Sequence, residues 1–228
     1  MHAVPRCFSM TLFLWCLLSQ CVAAQDISLL PKHGSANRSD VQKLADDRFI
    51  AGVDQQYNGD RKKAAQELAT SGWQSMRQGN PQNAMRRFNQ SWLLDPSNGH
   101  ALWGMGAVQG ATGKFVDAMK LFQEAEKSLG DDIDFAVDYA RTQGMVGVET
   151  KDKTTLQQAF ERYAHIQERA PDHTLNFQNW AITLFSINDY ASAWKKVQLA
   201  EATPRHSEMD ANFVAALQQK MPRPSSKP

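Results

Sequence analysis

Small and apolar residues recur in stripes along the middle of the chain. Leu68, Gly72 and Met76 stand at four-residue steps, and Ala84, Phe88 and Ser91 form a second stripe. Such spacing puts side chains on one face of an α-helix. Between the stripes lies Gly79-Asn80-Pro81, which ends one helix and starts the next. Asn80 is suited to capping, and Pro81 to the first helical position. Asp95-Pro96 closes the second stripe. The pattern then returns with Leu102, Gly106, Gly113, Ala118, Phe122, Ala125 and Leu129-Gly130. Gly113 falls at the turn, where a left-handed residue closes a helix.

The return has a fixed period. Gly72, Gly106 and Ala140 are 34 residues apart, as are Gly79, Gly113 and Gly147. Ala84 and Ala118 keep the same spacing, and so do Phe88 and Phe122. The register then slips to 41 between Ala118 and Ala159, and between Ala140 and Ala181, before 34 resumes from Ala159 to Ala193. One insertion of seven residues between Gly147 and Ala159 accounts for both shifts. A period of this length marks a repeat architecture in which each unit is a pair of helices. Small residues at Gly72, Gly106, Ala140 and Ala181 let the helices of a pair approach closely. The insertion reads VETKDKTTLQQ from Val148 to Gln158, and its polarity predicts a surface feature. Thr154 with Gln157, or Thr155 with Gln158, has capping-box spacing.

The flanks follow. Ser207 is placed to cap a last helix with Met209, Phe213, Val214 and Leu217 on its inner face. Polar Gln218, Gln219 and Lys220 suit the end of a stack. MPRPSSKP, residues 221–228, reads as a flexible tail. Ser39 is set to start a short helix through Val41, Leu44 and Ala45, and Tyr57-Asn58-Gly59-Asp60 turns the chain. Residues 25–38 read as a linker. The predicted organisation is a leader over 1–24, a linker and short helix over 25–59, a repeat region over 60–220 and a tail.

The order of small residue, turn glycine, alanine, aromatic and proline resembles the tetratricopeptide repeat family. The resemblance spans about residues 65–205. It is strongest in the first two units. The third matches through Ala159, Tyr163, Ile166 and Pro171, and the fourth through Trp180-Ala181, Asn188-Asp189-Tyr190, Ala193, Ala200 and Pro204. It implies an all-α fold: a right-handed superhelical solenoid of about four antiparallel helix pairs with a C-terminal capping helix. It further implies a concave groove, lined by the first helix of each pair, that holds a protein or peptide. The register places Trp73, Met76 and Arg77 in that groove, then His100 and Trp103, Asp134 and Arg141, and Ile182 and Phe185. Trp73 and Trp103 fit equally a role in packing between units. A family variant clamps peptide carboxylates with Lys and Asn where this chain has Ala69 and Trp73, so that clamp is not expected.

Chemistry is sparse. GMGAVQGATGKF, Gly104 to Phe115, looks like a phosphate loop but misses its first glycine at Val108 and its hydroxyl at Phe115. It also lacks dinucleotide spacing, because three residues separate Gly106 from Gly110. Gly106 and Gly113 have structural roles, while Gly104 and Gly110 are left without one. The histidines are scattered, no Gly-x-Ser-x-Gly elbow is present, and Asp131-Asp132-Ile133-Asp134 suits a helix start. No enzyme, cofactor or metal centre is expected.

The first residues carry one charge, Arg6, an apolar run from Phe8 to Leu18, and small Val22-Ala23-Ala24. That order reads as an export signal ending at Ala24, with no integral membrane segment after its removal. Leu18-Ser19-Gln20-Cys21 offers the alternative of lipidation at Cys21, although Gln20 is larger than the residue usual there. Cys7, Cys16 and Cys21 all lie in this segment, so the remainder needs no disulfide. Basic and acidic side chains beyond it are equal in number, which gives no electrostatic case for nucleic acid. Asn37-Arg38-Ser39 is a glycosylation sequon in a eukaryotic host. The expected function is an exported, periplasmic scaffold or adaptor for a protein partner. The alternatives are a lipid-anchored assembly factor of a pilus or secretion machine, or an accessory protein that binds sugar or another substrate.

Overall fold

The computed structural model describes residues 26–35 and 38–224. The leader, Cys21, Asn37 and the last four tail residues lie outside the described residues. Among the described residues ten α-helices follow in order: α1 (Asp40–Tyr57), α2 (Arg61–Arg77), α3 (Pro81–Leu94), α4 (Gly99–Ala111), α5 (Phe115–Leu129), α6 (Ile133–Thr150), α7 (Lys153–Arg169), α8 (Thr174–Ser186), α9 (Tyr190–Glu201) and α10 (Ala211–Lys220). Short 3-10 turns occupy Ile27–Leu29, Pro31–Ser35 and His206–Glu208. The fold is all-helical, and α2/α3, α4/α5, α6/α7 and α8/α9 pack as adjacent pairs.

The first helices of the pairs also touch in succession, α2 with α4, α4 with α6, and α6 with α8. The second helices approach less closely: α5 and α7 meet through the Arg162–Glu126 pair, and α7 and α9 through Lys196 and Gln167. A stack that is tight along one layer and open along the other bends toward the tight one. The first helices therefore form the inner, concave layer.

Local chemistry explains the helix ends. Asn80 Oδ1 accepts the N–H of Asn83, with Pro81 opening α3. Asn98, Asp132 and Asp152 cap α4, α6 and α7. Gly79 and Gly113 hold φ of 71° and 77°. The fourth unit places Asn188 at φ 64° in the corresponding turn, since Asn tolerates the left-handed region. Ser39 opens α1 with a complete capping box to Gln42.

Phe88 organises the core of the first two pairs. A Cβ on Gly72 would stand 2.4 Å from the Phe88 ring, and one on Gly104 2.2 Å from it. The ring thus lies wedged between two helix backbones, fully buried. Gly104 is a packing glycine that joins two units. Gly106 repeats the Gly72 contact within the second pair, where its Cβ would come within 2.8 Å of the Phe122 ring.

Five details differ from the sequence reading. The helix from Ser39 is not short but runs 18 residues, to Tyr57. Residues 26–35 are not a linker. Fully buried Asn89 on α3 donates to the carbonyls of Ser28 and Leu30 at 2.9 and 2.8 Å, and accepts the His33 N–H at 3.3 Å. Lys32 bridges to Glu124 on α5 at 2.6 Å. A buried amide must satisfy its hydrogen bonds, and this segment supplies them. Residues 221–224 are not a loose tail, because the buried Trp194 indole donates to the Met221 carbonyl at 3.0 Å and Arg223 pairs with Glu201. Asp210, not Ser207, caps α10. In the insertion, neither threonine forms the capping box. Asp152 accepts from the N–H groups of Thr154 and Thr155, and Gly147 lies inside a lengthened α6, where its Cβ would meet the Leu156 backbone at 2.7 Å.

Candidate functional site

The concave layer carries a connected aromatic strip. Trp73 on α2 and Trp103 on α4 have ring centroids 4.6 Å apart. Trp73 meets Phe88 edge-on at 5.5 Å, and Trp103 meets Phe135 at 5.8 Å. Both indoles are half-buried, and their contacts with each other and with Phe88 and Phe135 show the packing role between units. His100 lies beside Trp103 at 6.1 Å.

Trp103 is pinned by a residue that the repeat register did not single out. Its Nε1 donates to Asp138 Oδ2 at 2.9 Å. Burial raises the Asp138 pKa above its ordinary value. The Trp103 hydrogen bond and the charge of Arg141 oppose that rise, while Asp134 adds to it. Trp73 Nε1, by contrast, is sealed from solvent without an acceptor.

A cavity of about 240 Å³ opens beside these groups. Trp73 and Met76 of the first unit form one wall, and Asp138, Arg141 and Thr142 of the third form the other. Ala107, Gly110 and Ala111 of the second unit lie between them. These three stand 34 residues after Trp73, Met76 and Arg77, so the register contained the signal. Where the first unit has large side chains, the second has almost none. A Cβ on Gly110 would meet nothing within 4 Å. Its role is to leave space.

The remaining predicted groove residues lie elsewhere. Arg77 is exposed at the end of α2. Asp134 accepts from His173 Nε2 at 3.0 Å, a tautomer set by His173 Nδ1 accepting the Asn176 N–H. Ile182 and Phe185 pack on a separate cluster with Trp194, Phe213 and Leu217. They are part of the C-terminal core and do not reach the cavity around Trp73. A larger cavity, about 490 Å³, lies among α5, α6 and α7. Its Arg162 is already paired with Glu126 and lies 4.0 Å over the Tyr139 ring. Among the described residues no cluster of three or more His, Cys, Asp or Glu is placed to hold a metal. No helix among them is long and apolar enough to cross a membrane.

No protein-family model matches the chain, and no curated protein sequence matches it. Solved structures do. The chain is similar to a thermophilic TPR protein of Thermus thermophilus, with a TM-score of 0.61 and 15% identity over 70% of this chain and 84% of that one. The fold is tetratricopeptide-like.

Proposed function

We propose that the protein is an exported scaffold that holds a partner protein or peptide along its concave groove. The carrying observation is the cavity between Trp73, Met76 and Arg141, whose walls come from three successive helix pairs. Trp and Arg are the side chains that most often anchor interfaces, and a half-buried indole offers a large rigid face at little entropic cost. Arg77 and Arg141 carry charge on this surface, and neither makes a hydrogen bond or ion pair among the described residues. Export rests on the leader read from the sequence, with lipidation at Cys21 as its alternative.

The test is affinity capture from an envelope extract, comparing the wild type with Arg77→Glu/Arg141→Glu and with Lys195→Glu on the outer layer. A partner retained by the wild type and by Lys195→Glu, and lost with the double reversal, is expected. A partner lost only with Lys195→Glu would move the interface to the outer face.

A further inference from the structure

The second unit's groove face is the starting point. At the three places where the first unit presents Trp73, Met76 and Arg77, it presents Ala107, Gly110 and Ala111. The result is a notch between large neighbours, of about 240 Å³. Sites for drug-sized molecules run from about 300 to 1,000 Å³, so this notch suits a single side chain. Its floor and walls are mostly apolar: Trp73, Met76, Ala107, Ala111, Phe115 and Phe122.

Gly110 makes the opening costly. It lies inside α4 with a helical φ and open space where a Cβ would go. Alanine there favours the helix by roughly 0.5–1 kcal/mol. The helix gives up that stability and gains room in the notch.

The rim has a sign. Arg141 lines the notch with no hydrogen bond or ion pair among the described residues, although Asp138 is on the same helix and beside it. Asp138 is already taken by the Trp103 indole, and burial holds its carboxyl toward the neutral form. Asp134, the next carboxylate along α6, is taken by His173. An apolar socket bordered by the unengaged Arg141 guanidinium is complementary to an apolar side chain flanked by a carboxylate.

We propose that the notch receives one bulky apolar side chain, aromatic or long aliphatic, from an extended peptide segment whose adjacent residue is acidic and pairs with Arg141. This rests on the groove reading above and names the chemistry the groove selects. Gly110 and Ala107 set the size of the anchor, and Arg141 sets the charge beside it.

The test is a random dodecapeptide display library panned on the purified protein. Enriched sequences are expected to carry an aromatic, Leu or Met residue next to Asp or Glu. The synthesised peptides should bind Gly110→Leu at least tenfold more weakly, with the melting temperature not lowered. Gly110→Ala, with its Cβ in open space, should give a smaller loss of the same sign. Arg141→Glu should weaken them, and replacing the peptide's acidic residue with Lys should restore binding to that variant. Failure to enrich any sequence, enrichment of basic sequences, or equal binding to wild type and Gly110→Leu would each overturn the proposal. A captured partner that is lost with Arg77→Glu/Arg141→Glu but indifferent to Gly110→Leu would leave the groove reading standing and remove only this one.

Discussion

The indole of Trp103 donates to the carboxylate of Asp138 at 2.9 Å, from α4 of the second helix pair to α6 of the third. The bond fixes the ring that forms half of the aromatic strip. Trp103→Phe keeps most of the ring contact with Trp73 and Phe135 but removes the donor. Asp138 is then left largely desolvated and unpaired, which costs about 1–3 kcal/mol. Replacing both partners, as Trp103→Phe/Asp138→Leu, should recover part of that loss, because two apolar groups need no hydrogen bond. Urea unfolding of the two singles and the double closes the cycle. A Trp103→Phe variant as stable as the wild type would show that the bond contributes nothing.

Asp138 also predicts a pH dependence. Its ordinary carboxyl value is 3.8, and burial, the largest influence, raises it in the folded protein. Between those two values the folded state binds more protons than the unfolded one. Stability therefore falls as pH rises through that window. Asp138→Asn keeps an acceptor for Trp103 without the buried charge. It should melt above the wild type at pH 7, with the gap closing as pH falls toward 4. A gap that is constant with pH would contradict the assignment.

Two glycines of α4 should respond oppositely to the same methyl group. Gly104→Ala drives a Cβ to 2.2 Å from the Phe88 ring, which is held on its other side by Gly72. Overpacking of this kind costs about 1–3 kcal/mol or more. Gly110→Ala meets open space and should stabilise by roughly 0.5 kcal/mol. Thermal melts of the two variants make the comparison, and equal losses would show that α4 responds only to helix propensity.

Asn89 holds the segment 26–35 against the outer layer. Asn89→Ala removes two donated bonds and one accepted bond at once. Lys32 in that segment then becomes accessible to trypsin. Cleavage after Lys32 should speed up by about tenfold, corresponding to roughly 1.4 kcal/mol of docking free energy. An unchanged rate would mean that the Lys32–Glu124 bridge and packing suffice alone.

The helix pairs were legible because each repeats its small residue, its turn residue and its aromatic at one period. Gly72, Phe88 and Gly106 are forced by close approach, and such constraints leave fixed residue types behind. The segment 26–35 was not legible, since its hold depends on one buried amide some 60 residues away in the chain. Polar residues that bond to a distant helix look like a linker when read locally. The same holds for Met221, whose carbonyl satisfies Trp194. At the cavity, Trp73, Arg141 and the neighbouring Trp103 were already singled out by the register. Ala107, Gly110 and Ala111 were passed over because a site made of absent side chains gives no chemical signal. Asp138 was missed because its meaning comes from Trp103, a partner on another helix.

Site-specific photo-crosslinking in the native host tests the central claim most directly. A photoreactive phenylalanine at His100, beside Trp103 and outside the notch lining, stands on the inner layer, and one at Lys195 on α9 stands on the outer layer. A defined protein adduct from position 100, absent from position 195 and absent in an Arg77→Glu/Arg141→Glu background, is the predicted result. Adducts from position 195 alone would contradict a groove that holds a partner.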